Sequence, residues 1–379
     1  GVIVDPSTAG TVSLTAAFAA HASDTTSSVL QLNDATDANT AAVSANHLVE
    51  VVLDQSALST TSDQIAYVVL NADDMTEDKG TTAAKWLENL SITYKDSSNT
   101  DVTLTGIDAV QHRGQVLFNT LENSDTTALA SGSSELYKTE LLLGNDQAIV
   151  FASITDGTLA GATLSDLDVF SITTEGADQA TLTSTGGLGL TLNEITSRDQ
   201  DLDALIGQYQ SIAPVLDLAS LPSSLRTGVS TITAAVEVAR EADYDSVVGF
   251  YKVTDASTGG VYDSVTGTVI NPGEANYRDV ALAEGNLATE FAGLSASDGS
   301  TATSAITVTT DTIIAPYAVV GSRDYFAYGD ENSANGYGNF ARFKSLGENS
   351  FGLEDSLTAT GGDSDYDDLV VRFDFTAAT

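Results

Sequence analysis

Asp365-Tyr-Asp-Asp-Leu-Val-Val-Arg-Phe-Asp-Phe375 is the stretch on which the reading of this chain turns. In its second half Leu369, Val371, Phe373 and Phe375 fall on one face. A period of two is the pattern of a strand with one side in a core. Working back from there, strands are expected at Tyr325–Tyr328, Ile313–Val320, Ala305–Thr309, Val261–Val269 and Val247–Val253, with Ile232, Ala234, Val236 and Val238 alternating before them. The first half repeats the pattern at Thr11–Phe18, His47–Leu53, Ile65–Leu70, Leu90–Tyr94, Val102–Leu104, Gln115–Phe118, Leu136–Leu143, Ala148–Ile154, Asp168–Ile172 and Thr181–Thr183. Clusters of Gly, Asn, Asp and Ser separate these runs. Many short strands with turn signals between them predict an all-β chain of two β-sandwich or jelly-roll domains.

The expected boundary lies at 196–228. Leu202, Leu205, Ile206 and Tyr209 have helical spacing, Asp199, Asp201 and Asp203 suit a helix N-terminus, and Pro214 and Pro222 stop any continuation. The organisation read from the sequence is a β-domain over 1–195, a short helical connector over 196–228, and a second β-domain over 229–379. A short helix is also compatible with Gly273–Leu287.

Composition narrows the function classes. The chain has 379 residues, 42% of them hydrophobic, which is enough for true cores. Fourteen Lys and Arg against 53 Asp and Glu give a net charge of −39. Nucleic acid needs a basic footprint, and anionic membrane surfaces repel such a chain, so both are poor partners. The charge has to be screened by high salt or neutralised by divalent cations. The chain has no cysteine, so disulfides and thiolate sites are excluded. No run of 18 apolar residues spans a membrane. No leader pattern opens the sequence, so export is expected to have used a segment removed from, or outside, these residues.

The densest chemistry is Gly361-Gly-Asp-Ser-Asp-Tyr-Asp-Asp368. Asp363, Asp365, Asp367 and Asp368 crowd six positions, and Glu354 and Asp355 can add oxygens from a neighbouring turn. Carboxylates this close stay ionised only with a cation or open water. Ca²⁺ takes six to eight hard oxygens and fits such a loop. The loop is not an EF-hand, because Asp368 stands at the sixth position, where that loop needs Gly.

The segment also resembles a family: the uncharacterised C-terminal domain family of secreted, often cyanobacterial, calcium-associated bacterial proteins. Its members typically end in a Phe-Glu-Asp turn, a Gly-Gly-Asp-x-Asp-Tyr-x-Asp loop and a terminal strand. Here those are Leu353-Glu354-Asp355, Gly361 through Asp368, and Leu369–Phe375. Gly249-Phe250-Tyr251-x-Val253, Asp255 and Pro272-Gly273-x-Ala275-x-Tyr277 are similar as well. The resemblance covers about 229–379 and implies a β-sandwich, Ca²⁺ binding and an extracellular setting. The family's Asn-Pro-Asp…His stretch is replaced by Asp330-Glu-Asn-Ser-Ala-Asn335, so no ligand is carried over from it.

Weaker constellations have plainer readings beside them. Asp199, Asp201 and Asp203 read as a helix start before a cation loop. Asn71, Asp73, Asp74, Glu77 and Asp78 form an acidic loop. Asp243 and Asp245 stand where they could approach the C-terminal loop. His21, His47 and His112 have no triad or zinc spacing. Gly186-Gly-Leu-Gly189 lacks the Lys and helix of a phosphate loop. Tyr325, Phe326, Tyr328 and Tyr337 form either a sugar platform or ordinary core. No pair of carboxylates stands out for glycoside hydrolysis, so no enzyme is expected.

Two functions follow as expectations. One is a secreted, cell-surface structural protein of a bacterial surface layer, sheath or matrix filament, stabilised by Ca²⁺ and self-assembling into a homopolymer, with residues 2–18 donated to a neighbour. The other is a calcium-dependent adhesin or carbohydrate-binding module that holds surface glycans.

Overall fold

The computed structural model describes residues 16–34, 46–54, 63–95, 99–119, 137–144, 147–176, 178–195, 213–219, 221, 225, 231–242, 244–309, 311–338, 340–347, 349–357 and 364–376. They are mostly antiparallel strands with a few short helices, so the chain is all-β. They divide into two compact units, one up to residue 195 and one from 213 onward.

The first unit runs β1 (Ala16–Ala20), β2 (Leu30–Asp34), β3 (Asn46–Leu53), β4 (Gln64–Asn71), α1 (Ala83–Glu88), β5 (Ser91–Lys95), β6 (Asp101–Thr105), α2 (Ile107–Arg113), β7 (Gln115–Asn119), β8 (Lys138–Gly144), β9 (Gln147–Ile154), β10 (Asp168–Val169), β11 (Ser171–Thr174), β12 (Gln179–Thr183) and β13 (Gly189–Glu194). One sheet has the order β1-β2-β9-β4-β7, with β10 on β9; a second has the order β11-β12-β13-β3-β8; β5 and β6 pair as a third, two-stranded sheet. Alternate residues of β4 (Ala66, Val68, Leu70) and β9 (Ala148, Val150) share a core with Ala83, Trp86 and Leu87 of α1 and Ala109 and Val110 of α2. The two helices were not anticipated from the strand pattern. Thr82 caps α1 by accepting from the Lys85 N–H, and the buried Trp86 indole donates to the Gly80 carbonyl at 2.9 Å.

β1 pairs with β2 of its own unit, Phe18 opposite Leu32, and Phe18 is buried there. This corrects one element of the strand-donation expectation: Phe18 fills its own core, not a neighbour's groove. Residues 2–15, the rest of that segment, lie outside the described residues.

The second unit runs β14 (Leu216–Asp217), β15 (Thr231–Arg240), β16 (Ser246–Val253), β17 (Val261–Asp263), β18 (Thr268–Ile270), α3 (Tyr277–Ala281), β19 (Ser300–Thr309), β20 (Ile313–Val320), β21 (Arg323–Phe326), α4 (Gly329–Ala334), β22 (Phe343–Gly347), β23 (Ser350–Leu353) and β24 (Leu369–Thr376). Within the expected connector, the helical stretch 199–209 lies outside the described residues. Leu216–Asp217, also inside it, is not helical: it pairs as a strand with Ile313–Ile314.

One sheet has the order β19-β15-β24-β23-β22, and another has β14-β20-β16 with β21 also on β20. Pro316 sits inside β20, between the stretches that pair with β14 and β21. Its carbonyl accepts from Ala327, so its missing N–H points to that same side and β16 loses no bond. Both sheets feed one core. Ile232, Ala234, Val236 and Val238 of β15, and Leu369, Val371, Phe373 and Phe375 of β24, join Phe250 of β16 and Ile314 and Ala318 of β20. The Phe250 ring lies 5.5 Å from Phe291 and Phe373 and 5.6 Å from Phe351.

Phe250→Ala therefore opens a cavity where both sheets meet. It is expected to destabilise the second unit by about 3–5 kcal/mol. Denaturant unfolding should show this as an earlier midpoint for that unit's transition, with the first unit unmoved.

Candidate metal centre

β23 and β24 run antiparallel with Leu353 opposite Leu369. Glu354 and Asp355 leave the end of β23 at the point where Asp367 and Asp368 enter β24. Pairing register, rather than sequence proximity, brings the two acidic pairs together. The Asp355 N–H donates to Asp368 Oδ2 at 2.6 Å, and the Ser364 N–H donates to Glu354 Oε2 at 2.8 Å. Five of the six expected ligands are buried: Glu354 is 1% exposed, Asp355 2%, Asp365 3%, and Asp367 and Asp368 4% each. The sixth, Asp363, lies outside the described residues.

The loop is shaped by its backbone and its tyrosine. Ser364 and Tyr366 both adopt left-handed φ, 70° and 66°, on either side of Asp365. Non-glycine residues in that region cost about 1–3 kcal/mol each and persist only where the surroundings fix them. Here Tyr366 is fixed: its ring stacks on Phe340 at 6.1 Å and its hydroxyl donates to the Ala341 carbonyl at 3.0 Å. Its carbonyl lies against β23, where a Cβ added to Gly352 would come within 2.1 Å of the Tyr366 oxygen. Glycine at 352 is what lets the loop lie this close.

Two arginines hold the outgoing chain. Arg342 is fully buried, 4.3 Å from the Tyr325 ring centroid, and donates to the Ser356 carbonyl at 2.6 Å. Arg323 donates to the Leu357 carbonyl at 2.6 Å. The Glu354 N–H donates to the Arg342 carbonyl at 2.9 Å. Burial raises the Tyr366 hydroxyl pKa, and the Glu354 carboxylate adds to this while Arg342 opposes it. The half-buried Lys344 lies 5.6 Å from the Tyr366 ring. Burial lowers its pKa to about 8, partly offset by the Asp365 carboxylate.

One more oxygen-bearing residue meets this site and was missed in the sequence. Ser246, the first residue of β16, donates its hydroxyl to Asp355 Oδ2. Glu241 directly follows β15 and is 2% exposed. Among the described residues, no three acidic or histidine side chains already stand around one point as a metal-ligand set. The donor chemistry is nonetheless all oxygen, as a hard cation requires.

Asp243 and the Asp199–Asp203 run lie outside the described residues. Asp245 points to solvent and pairs with Arg240 at 3.1 Å. Asp74 caps its own turn through the Asn71 N–H and binds Arg113 at 2.5 Å, while Asp73, Glu77 and Asp78 are exposed. His21 packs edge-on against Trp86 and His112 lies against Tyr94. Tyr325, Phe326 and Tyr328 are buried in the second core, so with Tyr337 they make no open sugar platform. No protein-family model matches the chain, and no match is found among curated proteins or solved structures.

Two outcomes follow from this geometry. Gly352→Ala forces the Tyr366 carbonyl away and is expected to cost about 1–3 kcal/mol, read as a lower melting temperature. Lys344, whose folded pKa lies below its unfolded value, binds fewer protons in the folded state between about pH 8 and 10.5. Its contribution to stability therefore rises with pH through that window. Lys344→Met should flatten that part of the stability–pH curve.

Proposed function

We propose that the second unit is a Ca²⁺-stabilised β-sandwich and that the chain serves as a non-catalytic structural protein of a bacterial surface layer, sheath or matrix filament, secreted and self-assembling. The first unit is read as a second sandwich. One observation carries the calcium reading: Glu354, Asp355, Asp365, Asp367 and Asp368 are buried together where β23 meets β24. Each ionised carboxylate taken out of water costs several kcal/mol unless a cation or hydrogen bonds compensate. A divalent ion held by these groups, Asp363 and the Ser246 hydroxyl would remove their mutual repulsion and tie the Glu354 turn to the base of β24. The −39 charge supports a setting rich in divalent cations. The adhesin alternative loses its main support with Tyr325, Phe326 and Tyr328 committed to the core.

Calcium binding to the folded state alone stabilises by mass action, about 2.7 kcal/mol at a free concentration 100-fold above Kd. Chelation should lower the melting temperature of the second unit first. Asp365→Asn/Asp367→Asn should abolish most of the calcium response. NaCl at matched ionic strength is the control: if salt substitutes fully, or the double variant keeps the wild-type shift, the calcium site is elsewhere or absent. Electron microscopy with and without chelator tests the filament or sheet reading.

A further inference from the structure

We propose that β19 is a self-association edge, at which two copies of the chain join their five-stranded sheets by antiparallel β19–β19 pairing. This does not depend on the calcium site. β19 pairs with β15 over ten consecutive positions, from Thr231 opposite Thr309 to Arg240 opposite Ser300, with no register shift. It ends the order of its sheet. Alternate residues of an edge strand turn their N–H and C=O groups away from the neighbouring strand, where they template a further strand.

Two comparable edges of the unit, those of β16 and β22, are defended. The free side of β16 is covered by the segment Asn286–Leu294: Val248 and Leu294 exchange two backbone bonds at 2.9 Å, Lys252 donates to Asn286, and Ala288 donates to Phe250. β22, at the far end of the β19 sheet, is short, carries Lys344 and has a register shift between Ser345 and Gly347. Coverage, charge and bulges are the usual defences of an edge. Among the described residues, β19 shows none of them.

Its sequence, Ser-Thr-Ala-Thr-Ser-Ala-Ile-Thr-Val-Thr, holds no charge and no proline. Ala302 and Ser304 pair with the buried Val238 and Val236, yet both are exposed, so this half of the strand is bare on its core-facing side as well. The occupant follows from charge. In a chain of net charge −39, an uncharged ten-residue strand is where two copies meet with least repulsion. Antiparallel pairing about Ala305 also places Thr303 opposite Thr307 and Thr301 opposite Thr309, pairs that suit cross-strand hydroxyl contacts. The contact is isologous and closes as a two-fold dimer.

Sedimentation velocity of the full chain, in about 0.15 M NaCl, where a Debye length of about 8 Å damps the long-range charge but not an opposed pair, should show a concentration-dependent dimer. Thr303→Lys/Thr307→Lys puts lysines opposite one another. It should weaken the dimer at least tenfold while leaving the melting temperature unchanged. Because the chain has no cysteine, Ala305→Cys provides a clean cross-link. It should oxidise to a covalent dimer, and Val265→Cys, in the exposed turn between β17 and β18, should not. A strictly monomeric chain leaves the edge to a foreign strand and overturns the proposal. So does self-association that ignores the lysines, or cross-linking at 305 no faster than at 265.

Discussion

The second unit is organised around the placement of charge at one end of a hydrophobic strand. β24 carries Leu369, Val371, Phe373 and Phe375 into the core, and its first residue follows directly on two buried carboxylates. Neither half is stable in isolation. The apolar face needs β15 and β23 on its flanks, and the pairing with β23 brings Glu354 and Asp355 to the end where Asp367 and Asp368 already lie. Compact packing and charge repulsion therefore compete at the same few residues. The backbone donors from Asp355 and Ser364, and the arginines holding the Ser356 and Leu357 carbonyls, order the turn around this conflict.

The alternation of β15 and β24 was legible because a half-buried strand writes its environment into every second residue. The all-β character followed from many such runs. Helices α1 and α2 were not legible. Each is under two turns long and is placed by tertiary packing of Trp86, Leu87, Ala109 and Val110 on β4 and β9, which no sequence period betrays at that length. Likewise Leu216–Asp217 is a strand only because β20 offers it an edge.

At the site, the acidic residues were legible as a local cluster, and their burial bears on the same chemistry. What one-dimensional reading could not supply was register. Ser246 is remote from the loop in sequence and reaches it from the start of β16. Asp245, which looked well placed, is turned outward, because the strand alternation that points Ser246 inward sends its neighbour to solvent. The aromatic residues at 325–328 read in one dimension as either a sugar platform or ordinary core; the pairing of β21 with β20 carries Tyr325, Phe326 and Tyr328 into the core.

The position of β24 bears on how the unit is made. Its partner β15 opens the described sheet early in the unit, yet β24, the last strand in sequence order, lies at the sheet's centre. During synthesis from the N-terminal side, β15 and β23 have no strand between them until residues 369–376 emerge. Folding is thus delayed until nearly the whole unit is available, and it rests on contacts of long sequence separation. Such topologies fold on a scale of roughly milliseconds to seconds. An acidic chain that waits this long unfolded has one advantage: its own repulsion keeps nascent copies apart until the central strand is in place.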